Sequence, residues 1–421
     1  MHPNVWHGLT WPATDFSRVP YGVFTDRAIF AEEQERIFRG PIWINVALEA
    51  ELPNAGDFRT SYVGETPIVV TRADDGSVHA FVNRCAHRGT LLVRGQGGNT
   101  KDFTCVYHHW CYDTQGNLIG VPFRRGLRGK GGMPPSFDLA DHGLETLRVA
   151  AYRGVVFVTF RDDTEPFEDY ADTVSLAYLD RMFHKPIEII GYMRQRIPAN
   201  WKLYLENLKD ANHAGLLHQV PTTFGLWRNT QAGGSSMDKK RRHEVHYGYL
   251  DTDTEEDAAN GYEGFTPYNA TLKLNDASIV DYTNEWNDNI SSEFLSFFPS
   301  SVFQQFANTL ATRQVRPRSA AEFELFWTVF GYTDDSPTLR LARLKQNNLA
   351  GPGGVVSMED GEVGRLAQQG IKRERTSHSV IEIGGKGPIE DQTTVITEVA
   401  VRGFWKNYCE LMGAPVARAP E

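Results

Sequence analysis

Apolar and polar positions alternate along Thr66–Thr71 and Val78–Val82, with Asp75-Gly76 between them as a hairpin signal. Thr146–Tyr152 and Val155–Phe160 repeat this texture, and together these runs predict a small antiparallel β domain over residues 40–162. Further on, Ile187–Arg196 reads as a strand leading into Trp201–His218, whose Leu203, Leu205, Leu208, Leu216 and Leu217 suit one mostly buried helix. Phe294–Phe298, Val302–Ala307 and Phe323–Phe330 fit consecutive antiparallel strands. Helical patterns cover Asp26–Arg39, Glu165–Phe183, Gly364–Gln369 and Val401–Met412, while residues 229–290 are polar and rich in Gly, Asn and Asp. The expected class is α+β. An antiparallel-β domain at 40–162 is followed by a domain at 163–421 with a central antiparallel sheet flanked by helices, and a helical segment at 1–39 packs on the second domain.

Composition narrows the function. A chain of 421 residues exceeds what one core usually supports, so two domains are expected. A formal charge of −10 without long basic runs argues against nucleic acid, and no run of eighteen apolar residues suggests a membrane span. The N-terminus lacks the basic-then-apolar layout of a signal peptide, so a cytoplasmic location is expected. Four cysteines give no disulfide framework.

The candidate chemistry lies in two places. Glu206-Asn207-x-x-Asp210-x-x-His213-x-x-x-x-His218 packs acids, an amide and two imidazoles into thirteen residues. Asp210 and His213 share a helix face. Five residues on, however, an ideal helix would turn His218 about 140° away from His213. One metal held by both requires a kink, a helix end or a bulge, which Gly215 between them makes cheap. Buried, hydrogen-bonded neutral histidines remain the competing explanation. Upstream, Cys85-x-His87 is followed after seventeen residues by Cys105-x-x-His108. Such hooks can give two thiolates to one iron and two imidazoles to the other iron of a [2Fe-2S] cluster. The same four residues also allow a structural zinc.

The order C-x-H-x17-C-x-x-H, then N-W-K-L and E-N-x-x-D-x-x-H-x-x-x-x-H about a hundred residues later, resembles the large (α) subunit of the Rieske non-haem iron ring-hydroxylating oxygenases. The resemblance spans essentially the whole chain. It implies that 40–162 is the Rieske [2Fe-2S] domain, with Cys85, His87, Cys105 and His108 on the cluster, and that 163–421 is the catalytic domain with a mononuclear Fe(II). His213 and His218 would hold that iron. The third ligand is an aspartate in an acidic stretch before a helix, which by position matches Asp360, with Glu359 and Glu362 as competitors. Two imidazoles and a carboxylate on one face leave positions open for dioxygen and substrate.

The family resemblance also assigns Asp210 a relay role, bonded to an iron ligand and bridging to the cluster histidine at the position of His108 in a neighbouring subunit. Asn207 is grouped with it as a catalytic candidate. The implied assembly is α3 or α3β3 with a small β subunit, fed with electrons by an NAD(P)H-dependent reductase, directly or through a ferredoxin. The chain is most similar to the terephthalate, salicylate and anthranilate branch. Arg313 and Arg402 resemble arginines that receive the substrate carboxylate there, and Phe224 is a candidate wall for the ring. The expected reaction is hydroxylation or cis-dihydroxylation of an aromatic acid. A neutral aromatic, a demethylation, or electron transfer without oxygenation are the competing outcomes.

Overall fold

The protein is described by a computed structural model over residues 5–417. It divides into two compact units, Phe38–Phe167 and the flanking Met1–Ile37 with Glu168–Glu421.

In the first unit the alternating runs pair as antiparallel strands. β1 (Ile44–Leu48), β2 (Asp57–Val63), β3 (Thr66–Arg72), β4 (Val78–Val82) and β5 (Gly97–Asn99) join β9 (Thr146–Tyr152) and β10 (Val155–Thr159) in the order β1-β10-β9-β4-β3-β2-β5. A smaller sheet holds β6 (Asp102–Thr104), β7 (Cys111–Asp113) and β8 (Leu118–Gly120). The two Cys-His hooks are the loops after β4 and between β6 and β7. Val69, Phe81, Phe103, Trp110 and Tyr112 pack around both cysteines, so the hooks grow out of a rigid core rather than from a floppy edge.

The second unit is built on a seven-stranded antiparallel sheet. Its strands are β11 (Ile187–Ile197), β12 (Gly233–Met237), β13 (Glu244–Tyr249), β14 (Ile290–Phe297), β15 (Ser301–Phe306), β16 (Thr309–Ser319) and β17 (Glu322–Tyr332), in the order β11-β17-β16-β15-β14-β13-β12. The three apolar runs expected to be consecutive are not. β16 intervenes between the second and third, and β12 and β13 arise from the polar stretch. Both surprises have one cause: these strands bury polar side chains, such as Ser235, His246, Thr312 and Arg313, that lower their apparent hydrophobicity.

Helices cover this sheet. α1 (Arg27–Glu33), capped by the Asp26 side chain, carries Glu33, which accepts from Lys202 Nζ at 2.6 Å with both side chains fully buried. α2 (Phe167–Met182) is kinked at Asp172. Trp201–His218 is two helices, α3 (Trp201–Lys209) and α4 (Ala211–Leu217), broken at Asp210. α5 (Pro337–Ala350), α6 (Val355–Ile371) and α7 (Val399–Met412) complete the layer. Asp360 lies inside α6 rather than ahead of a helix. The Gly354 N-cap starts the helix six residues before it, and the acidic run therefore occupies helical turns. No described helix is long and apolar enough to cross a membrane.

Candidate active site

A helix end answers the spacing problem of the two histidines: the helix that starts after Asp210 stops at Leu217, just before His218. Asp210 leaves helical geometry (φ −98°, ψ 87°), and its carboxylate accepts from the backbone N–H groups of Asn212 (2.9 Å) and His213 (3.2 Å), capping α4. His213 is the third residue of the new helix. His218 is the residue after its end, where ψ of 94° swings the chain away. The two rings therefore meet, with centroids 5.5 Å apart and planes at 75°. Gly215 does not bend the helix. It is required for close packing, because a Cβ there would stand 2.2 Å from Asn229 Oδ1 and 2.7 Å from the Tyr262 hydroxyl.

Asp360 completes a triad. Its Oδ1 lies 3.4 Å from His213 Nε2 and 3.3 Å from His218 Nε2, and the three potential ligand atoms lie within 4.8 Å of one another. The opposite ring nitrogens are both engaged. His213 Nδ1 donates to the Asp210 main-chain carbonyl, and His218 Nδ1 donates to Glu359 Oε2 at 2.7 Å. Both Nε2 atoms are thereby left as lone-pair donors facing one point. Glu359 thus orients a histidine, and Glu362 pairs with Arg365 at the surface. Asn207 Nδ2 donates to Asp360 Oδ1 at 3.2 Å. Where the two Nε2 atoms carry protons in place of a metal, burial works against ionisation of Asp360 but the hydrogen bonds and charges of His213 and His218 prevail and hold it far below the usual carboxylate range; metal binding releases those protons. A permanently ionised carboxylate beside two lone-pair nitrogens fits a divalent transition metal such as Fe(II).

A cavity opens on this triad from the sheet side. Its walls are mostly apolar, including Leu208, Pro221, Trp227 and Phe306. The sheet register sets its floor. His246, Phe294 and Gln304 pair across β13, β14 and β15, and Val302 pairs with Arg313 of β16 one row along. Arg313 is buried, with its guanidinium carbon 4.2 Å from the Trp327 ring. Its Nη1 donates to the Tyr204 hydroxyl at 2.8 Å and its Nη2 to Gln304 Oε1, while Nε has no partner. No described carboxylate pairs with it.

Two expected substrate residues lie elsewhere. Arg402 is buried on α7, where Nη1 donates to the Asp15 and Gly387 carbonyls, and it does not line the cavity. Its position on the helix face turned to the N-terminal segment explains this. Phe224 lines a separate acidic cavity with Arg228, Asp251 and Asp253, because the chain turns at Gly225 (φ +70°) directly after it. Tyr204, His246 and Gln304 escaped notice in the sequence. The available signal was polar residues inside otherwise apolar strands and helices. Asp210, besides capping α4, lines a second cavity with Glu206 and Glu398.

In the other unit the hooks are closed by backbone bonds, Gly89 N–H to Cys85 O (2.9 Å) and His109 N–H to Cys105 O (2.9 Å). Asn83 clamps the first hook by accepting from the N–H groups of Leu92 and Val93 and donating to the Val93 carbonyl. Cys85 and Cys105 are buried, and the His87 and His108 ring centroids lie 4.5 Å apart. His87 stacks on Trp110 at 4.7 Å, and its buried Nδ1 has no partner in the protein. A buried imidazole nitrogen rarely stays unsatisfied, and an iron would satisfy it. The Tyr112 hydroxyl accepts from Ala86 N–H (3.1 Å), which leaves its proton for Cys85 Sγ at 3.3 Å.

Two thiolate-imidazole hooks in one unit and a two-histidine, one-carboxylate triad in the other define an iron-dependent oxygenase. Comparison with known proteins agrees. Residues 42–131 match the Rieske [2Fe-2S] domain and residues 171–414 the ring hydroxylating alpha subunit (catalytic domain). The chain is 48% identical over 405 residues to the anthranilate 1,2-dioxygenase large subunit of Burkholderia cepacia, covering 96% of this chain and 95% of that one. It is 46% identical over 410 residues to a terephthalate 1,2-dioxygenase terminal oxygenase subunit, alpha 2, of Comamonas sp., covering 97% of each. Its fold matches that of naphthalene 1,2-dioxygenase from Rhodococcus sp. bound to indole, with a TM-score of 0.78, 22% identity and 94% of each chain covered. The chain belongs to the ring-hydroxylating oxygenase α-subunit family. It is an enzyme whose cofactors are a Rieske [2Fe-2S] cluster and a mononuclear non-haem iron.

Proposed function

We propose that this subunit hydroxylates or cis-dihydroxylates an aromatic carboxylic acid of the anthranilate, salicylate or terephthalate type. The observation that carries the proposal is Arg313, a buried guanidinium with no carboxylate partner, in an otherwise largely apolar cavity that opens on His213, His218 and Asp360. A buried cation is costly unless paired, and a ring carboxylate entering the cavity supplies the missing anion. A planar guanidinium meets a carboxylate with directed, charge-assisted hydrogen bonds. The relatives named for anthranilate and terephthalate act on such acids.

The residues then divide the work. Cys85, Cys105, His87 and His108 hold the cluster, and His213, His218 and Asp360 hold the iron. When bound, these groups supply electron storage and dioxygen activation. Glu359 and the Asp210 carbonyl fix the orientation of the two histidines, and Asn207 steadies Asp360. Arg313 anchors the acid, while Phe294, Phe306 and Trp227 shape the space for its ring and exclude water. Phe38–Phe167 is the unit where electrons enter, and they come from a separate NAD(P)H-dependent reductase, directly or through a ferredoxin. In a trimer, with or without small β subunits, His108 of one copy and Asp210 of its neighbour form the relay.

The test is product analysis with a surrogate reductase and NAD(P)H. Dioxygen uptake coupled to hydroxylated product is expected for anthranilate, salicylate or terephthalate. Uptake coupled to product from naphthalene, with none from any acid, would overturn the substrate class.

A further inference from the structure

Arg313 does not finish the carboxylate receptor by itself. Gln304 stands on β15, directly opposite Phe294 of β14 on one side and Ala311 of β16 on the other, so all three face the cavity side of the sheet. It lines the same cavity as the triad, is 0% exposed, and its amide nitrogen has no hydrogen-bond partner. Chemistry fixes which way the amide points. Arginine can only donate, so the Gln304 oxygen must be the atom that faces Arg313 Nη2, and the NH2 group is the free end. Arg313 Nε is also buried without a partner.

Both donors belong to residues that line one cavity, and buried donors without a partner are rare in a folded protein. They call for an acceptor that enters with the ligand. A carboxylate has two oxygens with about four acceptor sites and can meet both. A neutral phenol brings one oxygen and no charge to oppose Arg313, and an unsubstituted ring brings no acceptor at all.

We propose that Gln304 is a specificity-determining residue that donates its amide N–H to the second oxygen of the substrate carboxylate, beside Arg313. This rests on the assignment to aromatic acids and extends it: the enzyme discriminates a carboxylate from its neutral isosteres through the amide as well as through the charge. Because a benzamide presents one oxygen and one N–H₂, its nitrogen would oppose a donor at this position. A site that hydrogen-bonds its substrate rejects analogues that leave its buried groups unpaired.

The experiment compares binding of anthranilate, terephthalate and benzamide to the iron-loaded protein under anaerobic conditions by calorimetry, for the wild type, Gln304→Leu, Gln304→Glu and Arg313→Met. Gln304→Leu is expected to weaken the acids by about 10–100-fold and benzamide by less than about threefold, collapsing the discrimination. Gln304→Glu keeps the size of the side chain but gives Arg313 an internal carboxylate, and it is expected to abolish acid binding. It also covers the case in which the leucine variant fails to fold. Acid binding at wild-type strength in the Gln304 variants, with Arg313→Met impaired, overturns the role of Gln304 and leaves the aromatic-acid assignment standing. Acid binding at wild-type strength in Arg313→Met overturns that assignment itself.

Discussion

Two arginines of the catalytic unit are buried in opposite ways, and replacing each by methionine separates a binding cation from a structural one. Arg343 is fully buried between Glu285 (2.5 Å) and Asp335 (2.6 Å) and also donates to the Asn308 carbonyl. Breaking a buried ion pair by removing one partner costs about 3–5 kcal/mol. At roughly 2–4 °C per kcal/mol, Arg343→Met should lower the melting temperature of the unit by about 6–20 °C. Arg313 has only the neutral partners Tyr204 and Gln304. Losing two such hydrogen bonds costs about 1 kcal/mol each, which the relief of a buried charge's desolvation, several kcal/mol, offsets. Arg313→Met should therefore melt at or above the wild-type temperature. The same change removes one or two charge-assisted hydrogen bonds to a bound carboxylate, about 1.5–3 kcal/mol each, so the Kd for the acid should rise by roughly 10–10⁴-fold. Scanning calorimetry and titration calorimetry on the same preparations read both quantities. An Arg313→Met protein that melts as early as Arg343→Met and binds acid normally would refute the reasoning.

Three further outcomes are expected. Asp360→Ala should retain the cluster's visible spectrum but lose the mononuclear iron, whereas Glu359→Gln, which can still accept from His218, should keep it; metal analysis showing the reverse would make Glu359 the ligand. Gly215→Ala should destabilise the unit by about 1–3 kcal/mol through overpacking against Asn229 and Tyr262, and a thermal melt indistinguishable from wild type would contradict the packing. Glu206, whose Oε1 accepts from Trp405 Nε1 at 2.6 Å, is pushed up to about 8, chiefly by burial, with Glu398 and Asp210 adding to it against Trp405 and Lys202. Its folded pKa lies above the unfolded value of 4.5, so between these two pH values the native state holds a proton that the unfolded chain has released, and stability falls as pH rises through that window. Glu206→Gln keeps the Trp405 bond without the titration. It should therefore gain over the wild type at pH 8 relative to pH 5, and parallel melting curves at both pH values would be inconsistent with the buried acid.

Local chemistry was the most legible part of the sequence. The Cys85-x-His87 and Cys105-x-x-His108 hooks are short enough that spacing alone brings each pair onto one loop. The five-residue gap between His213 and His218 requires a kink, a helix end or a bulge, and the structure provides the helix end, at Leu217 just before His218, while Gly215 stays within the helix. What stayed hidden depends on contacts far apart in the chain. β12 and β13 bury Ser235 and His246, and β16 buries Thr312 and Arg313; strands that line a polar site lose the alternation by which strands are recognised. Arg313 and Arg402 looked alike as cations in apolar surroundings, and only the sheet register and the packing of α7 show that the first faces the cavity and the second the Asp15 and Gly387 carbonyls. Gln304 could not be singled out from Gln305 beside it, since one residue of register decides which of the two faces the site.

A single turnover tests the central claim most directly. The iron-loaded protein is reduced chemically and exposed to dioxygen with an equimolar mixture of anthranilate, salicylate, terephthalate, benzoate and naphthalene, and the products are identified by mass. The structure predicts hydroxylated product from one or more of the acids, none from naphthalene, and none from any compound with Arg313→Met. Product from naphthalene, or acid product undiminished in Arg313→Met, would contradict it.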